Sequence, residues 1–194
     1  MTHAATVHPT SLGLDSRKMA IWAFIGSECL LFGSLISTYL VYKGKSLVGP
    51  YPNEILDIPF TSVSTFDLLM SSLMMVLALG AVRRGDRKWA KVWLFATAFL
   101  GMLFLAGQVY EFTSFVHEGL TLSRNLFGAT FFVLTGTHGA HVTVGVIWLL
   151  TLWVVALRGG LPPDKALNVE IAGLYWHFVD VVWIVIFTLV YLIQ

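Results

Sequence analysis

Two histidines lie three residues apart in an apolar stretch of the chain. The segment GTHGAHV, residues 136–142, contains His138 and His141 in a run without any other ionisable group. This spacing places both imidazoles on one face of a helix. Imidazole nitrogens can ligate a metal or haem iron, exchange protons, or hydrogen-bond to a neighbouring helix. The small residues Gly139 and Gly145 allow another helix to approach closely and therefore favour interhelical hydrogen bonds.

A carboxylic acid, Glu28, occupies the middle of another apolar run, GSECLLFGSL. It lies about nine residues, or roughly 14 Å of helix, from the start of that run, a depth that matches the histidine pair. Its neighbours three and four residues away are Phe24, Ile25, Leu31 and Phe32. Apolar surroundings favour the protonated acid. Two interpretations follow, a neutral acid bonded to a neighbouring helix and a proton-carrying group.

The remaining polar side chains in apolar runs form a pair and a scattered set. His177 and Asp180 are three residues apart, and a carboxylate one turn from an imidazole can fix its tautomer. Asp67 and Glu111 lie toward the ends of two further runs, with Gln108 one turn before Glu111. Solvation at a membrane interface is a sufficient explanation for these three residues.

Five apolar stretches can position these side chains as membrane-spanning helices. The chain has 194 residues, of which 57% are hydrophobic and 12% charged. A hydrocarbon core of about 30 Å requires roughly 20 apolar residues per helix. We predict an all-α polytopic membrane bundle over residues 19–194, after a surface tail at 1–18. The expected helices are at about residues 19–42, 62–82, 89–116, 126–157 and 171–193. A β-barrel is excluded because its strands alternate apolar and polar residues, whereas these stretches are apolar throughout.

Basic residues predict the orientation of the bundle, because Lys and Arg collect in cytoplasmic segments. With the N-terminus inside and the C-terminus outside, the inner segments hold nine of the twelve basic residues. These nine are Arg17, Lys18, Arg83, Arg84, Arg87, Lys88, Lys91, Arg158 and Lys165. The outer segments hold Lys43, Lys45 and Arg124.

Composition excludes several classes of protein. The single cysteine, Cys29, permits no intrachain disulfide and no thiolate cluster for zinc or iron–sulfur. No basic tract indicates a nucleic-acid partner. Two classes remain open, a haem-anchoring subunit with axial imidazoles from the last two spans and a cofactor-free subunit with buried polar groups. The haem class requires His141 and His177 at one depth, and the expected helix bounds offset them by roughly 15 Å.

Four segments together resemble a known family. GSECLLFGSL, GQVYEF, FGATFFVLTGTHGAHVTVG and YWHFVDVVW, in this order and spacing, are similar to subunit III of the haem–copper oxidases. The resemblance covers essentially the whole membrane part and is to the short bacterial form with five spans. In that resemblance Glu28 matches the family's buried acid, and the pairs at 138/141 and 177/180 match its paired polar residues. None of these residues is catalytic or binds a cofactor there.

The resemblance implies a role in aerobic respiration. The chain would be a non-redox subunit of a proton-pumping terminal oxidase in the bacterial plasma membrane. The haems and copper would lie in partner subunits, chiefly subunit I, and the chain itself would carry no cofactor. Subunits I and II and membrane phospholipids are the expected partners. The expected role is to stabilise the catalytic subunit and support proton uptake. Cytochrome c is the expected electron donor, and quinol is the alternative.

Overall fold

Five long helices make up most of the structure, a computed structural model that describes residues 15–193. The helices are α1 Ser16–Tyr42, the short α2 Pro52–Ile55, α3 Ile58–Arg83, α4 Arg87–His117, α5 Leu126–Leu157 and α6 Ala166–Phe187. A 3₁₀ turn at Pro163–Lys165 precedes α6, and a π-helical segment at Thr188–Leu192 follows it. Residues 15–193 contain no β-strand, and the five long helices are long and apolar enough to cross a membrane. The predicted all-α membrane bundle with five spans is confirmed.

Short polar side chains begin four of the helices as N-caps. Each accepts a hydrogen bond from the backbone N–H two or three residues later, which satisfies an otherwise unpaired donor of the first turn. The capping residues are Asp15, Asp57, Asp86 and Asn125. Helix α1 therefore begins at Ser16, inside the tail predicted for residues 1–18, and residues 1–14 of that tail lie outside the described residues.

The last helix begins earlier than expected, at Ala166 rather than at about residue 171. Its first turns contain Asn168 and Glu170, which interrupt the apolar run in the sequence. In the structure both side chains bond to other helices, because Asn168 accepts from Arg17 at 3.2 Å and Glu170 pairs with Arg83 at 2.8 Å. The helix therefore continues through them, and His177 lies deeper along it than the predicted bounds implied.

Helix α6 is the most enclosed of the five long helices, and α1 is the most exposed. Helix α6 packs on α1, α3 and α5, whereas α1 packs mainly on α5 and α6. Helices α3 and α4 are antiparallel neighbours. The turn between them contains Gly85 at φ +74°, a conformation that residues with a side chain rarely adopt. The tight turn expected from RRGDRK is therefore present.

A buried tryptophan fills the centre of the bundle. Trp176 of α6 is fully buried, and its indole N–H donates to Ser71 of α3 at 2.8 Å. Glycines on two neighbouring helices make room for its ring. A Cβ atom would lie 2.6 Å from the ring at Gly101 of α4 and 2.7 Å from it at Gly145 of α5. The glycines of α4 and α5 are thus required to accommodate the ring of Trp176 between these helices.

Basic residues gather at one end of the bundle, which holds the start of α1, the α3–α4 turn and the α5–α6 connection. We call it the basic end. Glu170 pairs there with Lys18 and Arg83, and so joins α1, α3 and α6. The nine basic residues predicted to face inside all lie at or near this end. This clustering of basic residues agrees with the pattern from which the orientation was predicted. The orientation itself stays a prediction.

Single-cysteine labelling tests the orientation. Leu47, in the loop after α1, is 95% exposed, and Asp164, in the α5–α6 connection, is also exposed. In a Cys29→Ala background, we expect an impermeant thiol reagent added to intact cells to label Leu47→Cys and leave Asp164→Cys unlabelled. Both should react after the membrane is permeabilised. Labelling of Asp164→Cys alone in intact cells would reverse the orientation.

Candidate functional site

Glu28 and His141 form a polar contact between α1 and α5. Their side chains are 14% and 18% exposed, and His141 Nε2 lies 3.1 Å from Glu28 Oε2. The other ring nitrogen, Nδ1, lies 2.8 Å from the carbonyl oxygen of Thr137. Because a carbonyl only accepts, Nδ1 carries a proton. Nε2 then either accepts from a neutral Glu28 or donates to its carboxylate. In both states one proton lies between Glu28 and His141.

His138 does not take part in this contact. It is fully buried, and its ring stacks on Trp183 with centroids 4.8 Å apart. Phe104 meets the same ring edge-on at 5.9 Å. Within residues 15–193 neither ring nitrogen has a hydrogen-bond partner. The expectation that both histidines of GTHGAHV make interhelical hydrogen bonds is therefore wrong for His138, which packs among aromatic rings.

A serine joins His177 and Asp180 to α3. Ser72 Oγ lies 2.8 Å from His177 Nδ1 and donates to Asp180 Oδ2. The hydroxyl has one proton, so it accepts from Nδ1–H while it donates to the carboxylate. Asp180 thus holds the tautomer of His177 through Ser72. Sequence reasoning found the pair and missed the serine, because a hydroxyl is common in membrane helices and is not conspicuous alone.

Glu111 and Gln108 of α4 lie inside the bundle. Glu111 is 6% exposed, and its Oε1 lies 2.5 Å from Thr61 Oγ1 of α3. Gln108 is also buried and donates from Nε2 to the carbonyl of Thr135 of α5 at 2.8 Å. The solvated position expected for both residues is therefore wrong. Their distance along α4 was readable from sequence, but the side of the helix on which they lie was not.

Asp67 differs from the other acids of the membrane spans. It lies on α3 and is partly exposed. Within residues 15–193 its carboxyl makes neither a hydrogen bond nor an ion pair.

Hydroxyl groups on α3 are the feature that sequence reasoning missed. Besides the contacts of Thr61 and Ser72, Thr65 accepts from the indole N–H of Trp183 at 2.9 Å. The hydroxyls recur along the faces of α3 that meet α4 and α6, at Thr61, Thr65, Ser71 and Ser72. Four hydroxyls at these intervals in one apolar span are a signal that could have located the contacts.

The predicted site residues do not converge on one centre. Except for His138 and Asp67, they form separate polar contacts that each join two helices, at different positions along the bundle. Within residues 15–193 no group of three His, Cys, Asp or Glu side chains has the arrangement of a metal site. The early start of α6 also reduces the expected offset between His141 and His177 to about five residues, or ~8 Å. The offset therefore no longer weighs strongly against paired axial histidines. The Glu28 contact does, because both ring nitrogens of His141 already have hydrogen-bond partners.

Comparison with known proteins identifies the family. Residues 4–194 match the family described as Cytochrome c oxidase subunit III. The Probable quinol oxidase subunit 3 of Staphylococcus saprophyticus is 39% identical over 100% of this chain and 97% of its own length. The Quinol oxidase subunit 3 of Bacillus subtilis is 41% identical over 90% and 85%. The Cytochrome c oxidase subunit 3 of Bacillus sp. strain PS3 is 40% identical over 97% and 91%.

The chain belongs to the cytochrome c oxidase subunit III family, which confirms the resemblance found in the sequence. It is a subunit III of a haem–copper oxidase and a multi-pass protein of the bacterial plasma membrane. Subunit III is the non-redox subunit of these oxidases, and it associates with other oxidase subunits.

The accessibility of Glu28 predicts its reactivity. Its partly exposed side chain lies on α1, the most exposed of the five long helices, whereas Asp180 and Glu111 are 3% and 6% exposed. A hydrophobic carbodiimide, which enters from the lipid and reacts with protonated carboxyls, should label Glu28 ahead of Asp180 and Glu111. Labelling of the intact chain, mapped by peptide mass, should fall strongly in Glu28→Gln and stay unchanged in Asp180→Asn. Undiminished labelling of Glu28→Gln would show that the reactive acid is another residue.

Proposed function

We propose that this chain acts as a helical brace of the oxidase and carries no haem or metal itself. The best support is that its buried polar side chains form hydrogen bonds between helices. Glu28, His177, Asp180 and Glu111 each bond to a side chain on a different helix. Both ring nitrogens of His141 are hydrogen-bonded, so that imidazole is not free to ligate a metal. Such a bundle suits a role in bracing the catalytic subunit. It would contact subunits I and II and phospholipids.

Support of proton uptake is the second part of the proposal. The Glu28–His141 pair has one proton between its side chains and lies near the midpoints of α1 and α5. His141 of this pair lines a surface cavity of about 400 Å³ between α1, α5 and α6, and is reached through it from the surface of the bundle. We assign the pair a supporting role, because within residues 15–193 no chain of hydrogen bonds links it to either end of the bundle.

Purification through this chain tests the proposal. An affinity tag on it should recover a complex that contains haem and consumes oxygen. When stronger detergent separates this chain from the partner subunits, the haem absorbance should go with the partner subunits and be lost from the tagged chain. A haem absorbance band that stays with the isolated chain and disappears in His177→Ala would contradict the cofactor-free brace and support a haem anchor.

The electron donor has two candidates. Cytochrome c is the one expected from the sequence. Quinol is favoured by the names of the relatives from Staphylococcus saprophyticus and Bacillus subtilis. The identities of 39%, 41% and 40% do not separate the two kinds of oxidase. The purified complex should be offered reduced cytochrome c and a reduced quinol in turn. The donor that reduces its haems and sustains oxygen consumption is the physiological class.

A further inference from the structure

A row of side chains along α3 remains at least partly exposed on the surface of the bundle. It consists of Val63, Asp67, Met70, Met74 and Leu77. We call this row the Asp67 seam. Its members recur at alternating intervals of four and three residues, the spacing with which one helix packs along another in a left-handed pair. The seam therefore has the pattern of a helix–helix contact.

Asp67 places a carboxyl at membrane depth within this seam. It is nine residues into α3, or about 14 Å along the helix axis. The 26 residues of α3 span roughly 39 Å, and the hydrocarbon core is about 30 Å thick. With the helix centred in the membrane, Asp67 lies on the order of 9 Å below the edge of the hydrocarbon core.

Lipid does not suit this carboxyl, because acyl chains offer no hydrogen-bond donor. Three other acids in the spans show how this chain treats such groups. Glu28, Glu111 and Asp180 each have a partner on a neighbouring helix. Asp67 has no such partner among residues 15–193. Its side chain is partly exposed, so a group outside this chain can reach it. A donor from outside this chain would complete the same pattern.

We propose that the Asp67 seam is the docking surface for a transmembrane helix of another oxidase subunit. That helix places a donor side chain, a hydroxyl, an amide or a cation, opposite Asp67. The inference rests on the proposed function and names the surface through which the brace acts. Met70 and Met74 suit this contact because their flexible thioethers fill irregular gaps between helices. One polar position in an apolar seam also fixes the register of the partner.

Two substitutions of Asp67 test the contact in the assembled oxidase. The tagged chain is purified from membranes, and the co-purifying subunits are measured per chain. Asp67→Leu should lower their yield in stringent detergent about three- to fifteen-fold, the range for one interhelical hydrogen bond in a membrane. Asp67→Asn should retain most of the yield because an amide accepts from the same donor. Unchanged yield with Asp67→Leu would overturn the proposal.

A matched control separates the seam from a general effect on α3. Ser62 is exposed on another side of the same helix, where its hydroxyl donates to the carbonyl of Ile58 at 2.7 Å. Ser62→Leu makes a comparable polar-to-apolar change outside the seam, and it should leave the yield unchanged. An equal loss with Ser62→Leu and Asp67→Leu would also overturn the proposal.

Crosslinking tests the seam without disturbing Asp67. A photoreactive amino acid at Met74 lies in the seam, whereas one at Val76 points to nearly the opposite side of α3, since two residues turn a helix by about 200°. We expect crosslinks to another oxidase subunit from Met74 and none from Val76. Crosslinks to lipid alone from Met74 would overturn the proposal. Failure of the unmodified chain to co-purify with haem-containing subunits would instead overturn the proposed function.

Discussion

Replacing Trp176 by alanine should destabilise the bundle by about 3–5 kcal/mol, the usual cost of truncating a fully buried aromatic side chain. The indole ring fills the space left by Gly101 and Gly145, so its removal leaves a cavity between three helices. The cost in a membrane arises from lost van der Waals contact, since lipid is as apolar as the bundle interior. The Ser71 hydroxyl also loses its indole donor. Unfolding of the purified chain by sodium dodecyl sulfate, followed by circular dichroism, measures the change.

Trp22 provides the matched control for this substitution. It is 55% exposed on α1, where lipid can fill the space that its ring leaves. Trp22→Ala should therefore shift the unfolding midpoint little. Equal shifts for Trp22→Ala and Trp176→Ala would show that the packing around Gly101 and Gly145 does not hold the bundle together.

The number of spans could be predicted from the sequence because apolar length alone determines it. The choice of polar partners could not. Glu28 was expected near both histidines, and the structure pairs it with His141. Residues three apart share a face, yet they differ by about 60° around the helix. That rotation turns His138 toward Trp183 and His141 toward α1. No pattern of apolar residues predicts it, because α5 has apolar residues on all sides.

The same reason accounts for the errors on α4. The depth of Glu111 and Gln108 along the helix was read correctly as being near its end. Whether they face water or the interior depends on how α4 is rotated against α3 and α5, and the contacts with Thr61 and Thr135 fix that rotation. The start of α6 was misplaced for a different reason. Polar residues that bond to other helices, such as Glu170, interrupt an apolar run without ending the helix.

Removal of this chain from the oxidase should leave substantial initial activity and shorten the working life of the enzyme. Subunit III is the non-redox subunit of its family, so oxygen reduction by the partner subunits does not require it at once. A brace that is removed exposes the flank of the catalytic subunit to lipid and water. We expect slower proton uptake, most visible at alkaline pH where protons are scarce, and faster loss of activity during turnover.

Oxygen consumption over time, by the oxidase with and without this chain, is the most direct measurement of the proposed brace. The two preparations should start at comparable rates near neutral pH. The depleted enzyme should then fall behind progressively, with a larger deficit at alkaline pH, and re-addition of the chain before turnover should restore the time course. Immediate and complete loss of activity on depletion would indicate a direct catalytic role. Identical time courses at every pH would show that the chain supports neither durability nor proton uptake.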